Sequence, residues 1–328
     1  MLLDLLRADE RLAGWLRDLE KSDAPRVAAT LPDPDDLPEV LLDLTVPHEA
    51  VNELVALSSR LMADPEATDL LERCVSAYVR HMGEIGRRIE LPLFPESLGP
   101  LGRCFHVFVF IAALPHVRAH HEALGIPADV TRRTLADLGR HLVVHHRRTG
   151  TYGLSAPWWI SLHFHGELYQ LGRLQYQRTR IGERMARGLR AAGRDTDPGD
   201  LCLGLHITDF RGPLSPEACD RSLALARDFF ARHHPEERYE LAVCHSWLLD
   251  PQVKRYLSEG SNIVRFQERF HIAVDATEPS DDAPVGFVFG DPTLPPAELP
   301  GRTSVERAVG DHLRAGGHWY IGHGWFAL

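Results

Sequence analysis

Lysine is nearly missing from this chain of 328 residues, which carries only Lys21 and Lys254. Arginine supplies the rest of the 36 basic residues, set against 46 acidic ones for a net charge of -10. Arginine can serve phosphate or carboxylate recognition, but a bias that runs the whole length is the pattern of GC-rich bacterial codon usage. No basic stripe is present, and the acidic excess argues against nucleic acid as the main partner. A disulfide framework is missing too. Cys74, Cys104, Cys202, Cys219 and Cys244 are odd in number, lack C-x-x-C spacing and mostly sit in apolar periodic segments, so they read as small hydrophobes in a reducing cytoplasm. No apolar run suggests a membrane span: "CFHVFVFIAAL", from Cys104 to Leu114, contains His106, stops at Pro115 and reads as a buried helix. The opening "MLLDLLRADERLAGWLRDLE" has acids and arginines at helical spacing and none of the parts of a signal peptide, so a cytoplasmic protein is expected. Repeats and low-complexity tracts are absent as well. With 44% apolar and 25% charged residues, the chain reads as folded and globular, and its length exceeds what one core usually supports.

Two halves differ in periodicity. Up to about residue 150, apolar positions recur every three or four residues, as in "VNELVALSSRLMADPEATDLLERCVSAYVRHM" and "PADVTRRTLADLGRHLVVHHRR", which predicts helices divided by Pro-rich breaks. After "RRTGTYG" short runs of Trp, Leu, Ile, Tyr and Val, bounded by Gly, Pro and Asp, favour strands. "PWWISLHFHGELYQLGRLQYQRTRI" reads as two strands turning at His165-Gly166, and "LCLGLHI", "ELAVCHSWLL", "RFHIAVD" and "VGFVFG" as four more. A helix from Pro216 to about Arg232 presents Cys219, Leu223, Ala226 and Phe230 on one face, which predicts packing against a sheet. The expected architecture is α+β: residues 1–152 form a helical domain packed on a mixed sheet with flanking helices, residues 153–328.

The stretch "LCLGLHITDFRGPLSPEACDRSLALARDFF" joins a strand to a helix through one glycine. Ser215 is a good N-cap, Pro216 suits the first helical position and Glu217 favours the positive end of the dipole, so a capped helix needs no ligand here. A helix N-terminus also binds anions, and Gly212 permits close approach. Pro213 and Pro216 each remove an N–H donor. Local chemistry leaves both a phosphate turn and a plain corner open.

"PWWISLHFHGELYQLGRLQYQ", "LHITDFRGPLSPEACDRSLALARDFFARHHP", "AVCHSWLLDP" and "SNIVRFQERFHI" together resemble the two-part proteins of the GNAT superfamily of N-acyltransferases, from about residue 40 to the end. That resemblance implies a helical acyltransferase domain followed by a GNAT-like domain, with an acyl-CoA or acyl-phosphopantetheine co-substrate. In such proteins one strand splays from its neighbour and its backbone holds the pantetheine arm, while the next turn binds pyrophosphate. Carried onto this chain, Leu205 and Ile207 would hold the arm, and Phe210, Arg211, Gly212, Leu214 and Ser215 the phosphates. The usual turn has Gln or Arg, two residues, Gly, one residue, then Gly or Ala. This chain has Gly212, Pro213 and Leu214 there, which keeps an acyl-carrier protein beside CoA as donor. The implied acceptor is a small-molecule or peptide amine.

Amide formation from a thioester needs a base for the amine proton, donors for the oxyanion and an acid for the thiolate. His206 and His245 lie on the two strands that the resemblance puts either side of the splay, and either imidazole suits the base. Tyr256 follows the second strand, where the superfamily often supplies a tyrosine acid. His163 and His165 alternate along one expected strand and His141 and His145 are one helical turn apart, but neither pair has a third ligand nearby, so no metal is expected. "CHSW" lacks G-x-S-x-G, and its neighbours would point to opposite strand faces. Trp158 and Trp159 would wall a pocket or join the core, and "GGHWYIGHGWFAL" would form a docked tail strand or a binding lip. A non-catalytic acyl-thioester sensor or scaffold is the alternative, since the fold can outlast its chemistry.

Overall fold

The computed structural model describes residues 2–21, 25–87, 89–208, 211–273 and 279–328. The chain divides into two compact units, residues 1–169 and 170–328. Unit 1 contains, among the described residues, α1 (Leu2–Ala8), α2 (Glu10–Glu20), α3 (Leu37–Asp43), α4 (His48–Met62), α5 (Pro65–Val79), α6 (Gly99–Ala123), α7 (Ala128–Leu135), α8 (Asp137–Thr149) and α9 (Pro157–Phe164). Local chemistry starts and stops them. Asp9 and Asp64 accept backbone N–H bonds at the heads of α2 and α5, and Gly150 ends α8 in the left-handed region.

α6 is the centre of unit 1, with Phe105, Val107, Phe108, Val109 and Phe110 fully buried. It does not stop at Pro115 as the sequence suggested, but continues to Ala123. Proline removes one helical N–H, and here the burial on both sides outweighs that loss. By length and composition the segment Glu96–Ala123 would cross a membrane, but 67% of its most apolar window is buried inside the protein, which is how a core helix looks.

Two expected strands are helices. Pro157 opens α9 at its first position, and Pro157, Ile160, Ser161, His163 and Phe164 are the buried residues, which is helical spacing. His163 and His165 therefore do not share a strand face. "VGFVFG" falls in α13 (Asp282–Phe289), which Gly290 ends with a positive φ. A short apolar run fits a buried helix as well as a buried strand.

The sheet consists of β1 (Leu168–Leu171), β2 (Leu174–Arg180), β3 (Leu201–Ile207), β4 (Leu241–Ser246), β5 (His271–Ala273) and β6 (Gly322–Ala327) in the order β1-β2-β3-β4-β6-β5. β2 pairs antiparallel with β3 from Leu174↔Ile207 to Arg180↔Leu201, and β6 pairs antiparallel with both β4 and β5. β3 and β4 are parallel, so their connection is a crossover through α11 (Pro216–His233). α10 (Glu183–Ala191), which sequence reading did not anticipate, buries Met185, Ala186 and Leu189 with Cys202, Val243 and Trp325. A second cluster gathers Trp247, Val253, Val309 and Trp319 with α13 and with α12 (Asn262–Gln267) and α14 (Ser304–Arg314). The C-terminal β6 is the docked tail strand expected from its aromatic residues.

Candidate active site

β3 and β4 pair only at Leu203↔Ala242 and Gly204↔Val243. Both strands run on for about three residues beyond that pairing, and this is the splay. Successive strand residues point to opposite faces, and the two faces hold different things. Ile207, Thr208 and Leu214 line a cavity of about 470 Å³ with Trp247, Leu248 and Asn262. His206 lines a recess of about 100 Å³ with His245, Gln177, Arg180 and Val243. The first is within the range of ligand pockets, roughly 300–1,000 Å³. The second admits a small polar group. Leu205, taken from the sequence as a pantetheine contact, shares the Ile207 face by alternation; it is buried, borders the recess and is not among the residues that line the larger cavity. Unit 1 has a larger cavity of about 620 Å³, but its Arg118 and Arg132 are both paired with Asp43, at 2.8 and 3.0 Å.

The turn after β3 is held from outside. Arg173, between β1 and β2, donates from Nε to the carbonyls of Gly212 (3.0 Å) and Pro213 (3.3 Å), and from Nη1 to Thr208 O (3.3 Å). Ser222 of α11 fixes the hairpin that carries Arg173: its Oγ donates to Leu171 O and accepts from Leu174 N–H. Gly212 has φ +77°, a conformation that favours glycine, and a Cβ there would meet no other atom within 4 Å. Ser215 caps α11 by accepting from Ala218 N–H at 3.3 Å. The Glu217 carboxylate takes its own backbone N–H and the Ser215 hydroxyl, which lowers its pKa. With those N–H groups engaged, positive charge around the turn comes from the side chains of Arg173 and Arg211, while Arg269 is paired with Asp220 (2.6 Å) and donates to Pro216 O (3.1 Å). Phe210, the remaining turn residue named from the sequence, lies outside the described residues.

In the recess, His206 Nε2 lies 2.9 Å from Gln177 Oε1. His245 meets His323 of β6 through the two Nδ1 atoms, and Arg184 Nη1 reaches His323 Nε2 at 3.5 Å. His245 is exposed as a residue, but the protein atoms around its ring draw it down to about 4, with His323 and Arg184 adding to the effect. Tyr256 lines neither cavity. Its hydroxyl donates to His312 Nδ1 at 2.9 Å, and its ring packs 6.1 Å from Trp319. Cys244 is buried and its thiol is pushed up to about 12, so it offers no nucleophile. Gln177, Arg184, His323 and Arg173 escaped sequence reading. Each reaches the site across sheet register or a long loop, which leaves no local signal. The described residues contain no group of three or more His, Cys, Asp or Glu side chains suited to a metal.

Residues 35–166 match the N-acyltransferase N-terminal domain, and residues 168–326 match the GNAT-like C-terminal domain. The chain is also 37–38% identical, over its whole length, to crystallised acyltransferases. It belongs to the GNAT-like N-acyltransferases. This N-acyltransferase superposes with a TM-score of 0.90 on an acyltransferase in complex with decanoyl-CoA and teicoplanin, at 38% identity and with 100% of both chains covered. An acyltransferase mutant in complex with octanoyl-CoA gives 0.90 at 37% identity, again covering 100% of each chain. A complex with CoA and 10C-teicoplanin gives 0.88 at 37%, with the same coverage. No curated protein sequence shows a significant match. The splay and the turn of this N-acyltransferase lie in the part that matches the GNAT-like domain, and the helices α3–α9 lie in the part that matches the N-acyltransferase N-terminal domain.

Proposed function

We propose that the enzyme moves a medium-chain acyl group from acyl-CoA to an amine of a glycopeptide of the teicoplanin kind. The observation that carries this is the splay, which has a ligand-sized groove on the Ile207 face and an imidazole-lined recess on the His206 face. The similar acyltransferases bound to octanoyl-CoA, to decanoyl-CoA and to teicoplanin support the choice of both substrates. In this reading Ile207, Leu214 and Arg173 border the pantetheine and phosphates, with Arg211, Gly212 and Ser215 in the adjoining turn. An imidazole of the recess takes the amine proton. Tyr256, held by His312, is assigned no part. Five buried thiols without a disulfide support a reducing compartment, and we place the enzyme in the cytoplasm.

Purified protein is mixed with octanoyl-CoA or decanoyl-CoA, with and without teicoplanin, and free thiol is followed over time. Acceptor-dependent thiol release, with a product heavier by one acyl group, is the expected result. Binding of acyl-CoA without release would favour a sensor instead. The same acyl chain presented on a carrier protein gives a slower reaction, since the arginine-rich turn then lacks its diphosphate.

A further inference from the structure

The recess contains two imidazoles, and the hydrogen-bond chain behind each gives it a different proton. A guanidinium has only N–H donors. Arg184 of α10 presents Nη1 to His323 Nε2 at 3.5 Å, so a neutral His323 accepts there and carries its proton on Nδ1. His323 stands opposite His245 in the β4–β6 register, and the rings meet Nδ1 to Nδ1. That contact needs one donor and one acceptor. His323 donates, His245 accepts, and the proton of His245 lies on Nε2. His206 is set the other way: its Nε2–H donates to Gln177 Oε1 at 2.9 Å, which leaves the lone pair on Nδ1.

We propose that Arg184 and His323 are positioning residues that hold His245 as an N–H donor, so that the two recess histidines have separate jobs. The inference rests on the acyl-transfer reading above. His206 Nδ1 takes a proton from the amine as the nitrogen forms its bond to the thioester carbon. His245 Nε2–H hydrogen-bonds the oxygen that becomes negative in the tetrahedral intermediate. The C–S bond then breaks, and the departing thiolate takes the proton held by His206, giving amide and free CoA thiol. Low pKa values suit this scheme, because tautomers matter only in neutral rings. Protein atoms around the two rings draw His245 to about 4 and also lower His323, to which Arg184 adds.

Two variants of nearly equal size separate the alternatives. In His323→Asn the side-chain amide still donates to His245 Nδ1. In His323→Asp a carboxylate accepts there and forces the proton of His245 onto Nδ1. The expected result is that His323→Asn keeps most of kcat, while His323→Asp loses about 100-fold in kcat with little change in KM for acyl-CoA. Were His245 the base, the new Asp–His pair would sustain or raise activity, and equal or faster turnover by His323→Asp overturns the proposal. Nitrogen-15 NMR of labelled histidine in the resting protein, with His245→Gln to assign the signal, reads the tautomer without any turnover. Nε2–H in the parent and in His323→Asn, switching to Nδ1–H in His323→Asp, is expected. Nδ1–H in the parent overturns the assignment even if acyl transfer is confirmed. A parent with the Nε2–H tautomer and no acyl transfer sinks the functional reading while leaving the hydrogen-bond chain intact.

Discussion

Replacing Arg173 by Ala removes the group that holds the turn after β3. Its guanidinium makes bonds of 3.0, 3.3 and 3.3 Å to three carbonyls of that turn. A hydrogen bond to a charged group contributes about 1.5–3 kcal/mol. Arg173 is half-buried, so water takes over part of what is lost, and two of the three bonds are long. Counting one good bond, about 1.5 kcal/mol, the turn departs from its binding geometry at a cost of roughly tenfold in donor affinity. Calorimetric titration of CoA and decanoyl-CoA into the variant should show a Kd raised about tenfold or more, since a positive charge near the phosphates goes too. At saturating donor the rate changes little, because Arg173 does not line the recess. Arg173→Lys keeps the charge but cannot fork across the carbonyls, and falls in between. Decanoyl-pantetheine, which lacks the phosphates, should bind parent and variant alike. An unchanged Kd for CoA in Arg173→Ala refutes the reasoning, and an equal loss for decanoyl-pantetheine moves the arginine's effect from phosphate to groove.

His206→Ala should lower kcat by about 100- to 10,000-fold with donor affinity kept, in steady-state assays of thiol release. A parent-like rate would remove His206 as the base. Gly212→Leu, forced to hold φ +77°, costs about 1–2 kcal/mol of backbone strain but meets no protein atom, so the fold survives and donor affinity drops. Retention of full affinity would make the turn a plain corner. Stability should fall in mild acid through His106, which is buried against Pro92 O at 2.7 Å and drawn by burial from 6.5 to about 4. The unfolded chain takes up this proton first, so stability is lost as pH falls from 6.5 towards 4, by up to about 3 kcal/mol. Urea unfolding at several pH values should show this slope, and His106→Gln should flatten it. An unchanged slope in that variant assigns the acid sensitivity elsewhere.

Where structure follows from near neighbours, the chain could be read directly. The helical period of unit 1, the short apolar runs with Gly, Pro and Asp punctuation at β3 and β4, and the Ser-Pro-Glu start of α11 each act within a few residues, and all three were legible. So was the splay, through resemblance, and with it the placing of His206 and His245. Apolar runs such as "PWWISLHF" and "VGFVFG" were not decided locally, because a buried helix and a buried strand demand the same side chains; packing made both helical. The distribution of protons in the recess lay further still from the sequence. Antiparallel register sets His323 against His245, 78 residues away, and Arg173 spans 39 residues to reach Gly212. A one-residue slip of β6 would turn His323 to the other face. Composition and periodicity chose most of the elements, packing chose between helix and strand for the short apolar runs, and register, which is a property of two strands at once, chose the partners of each imidazole.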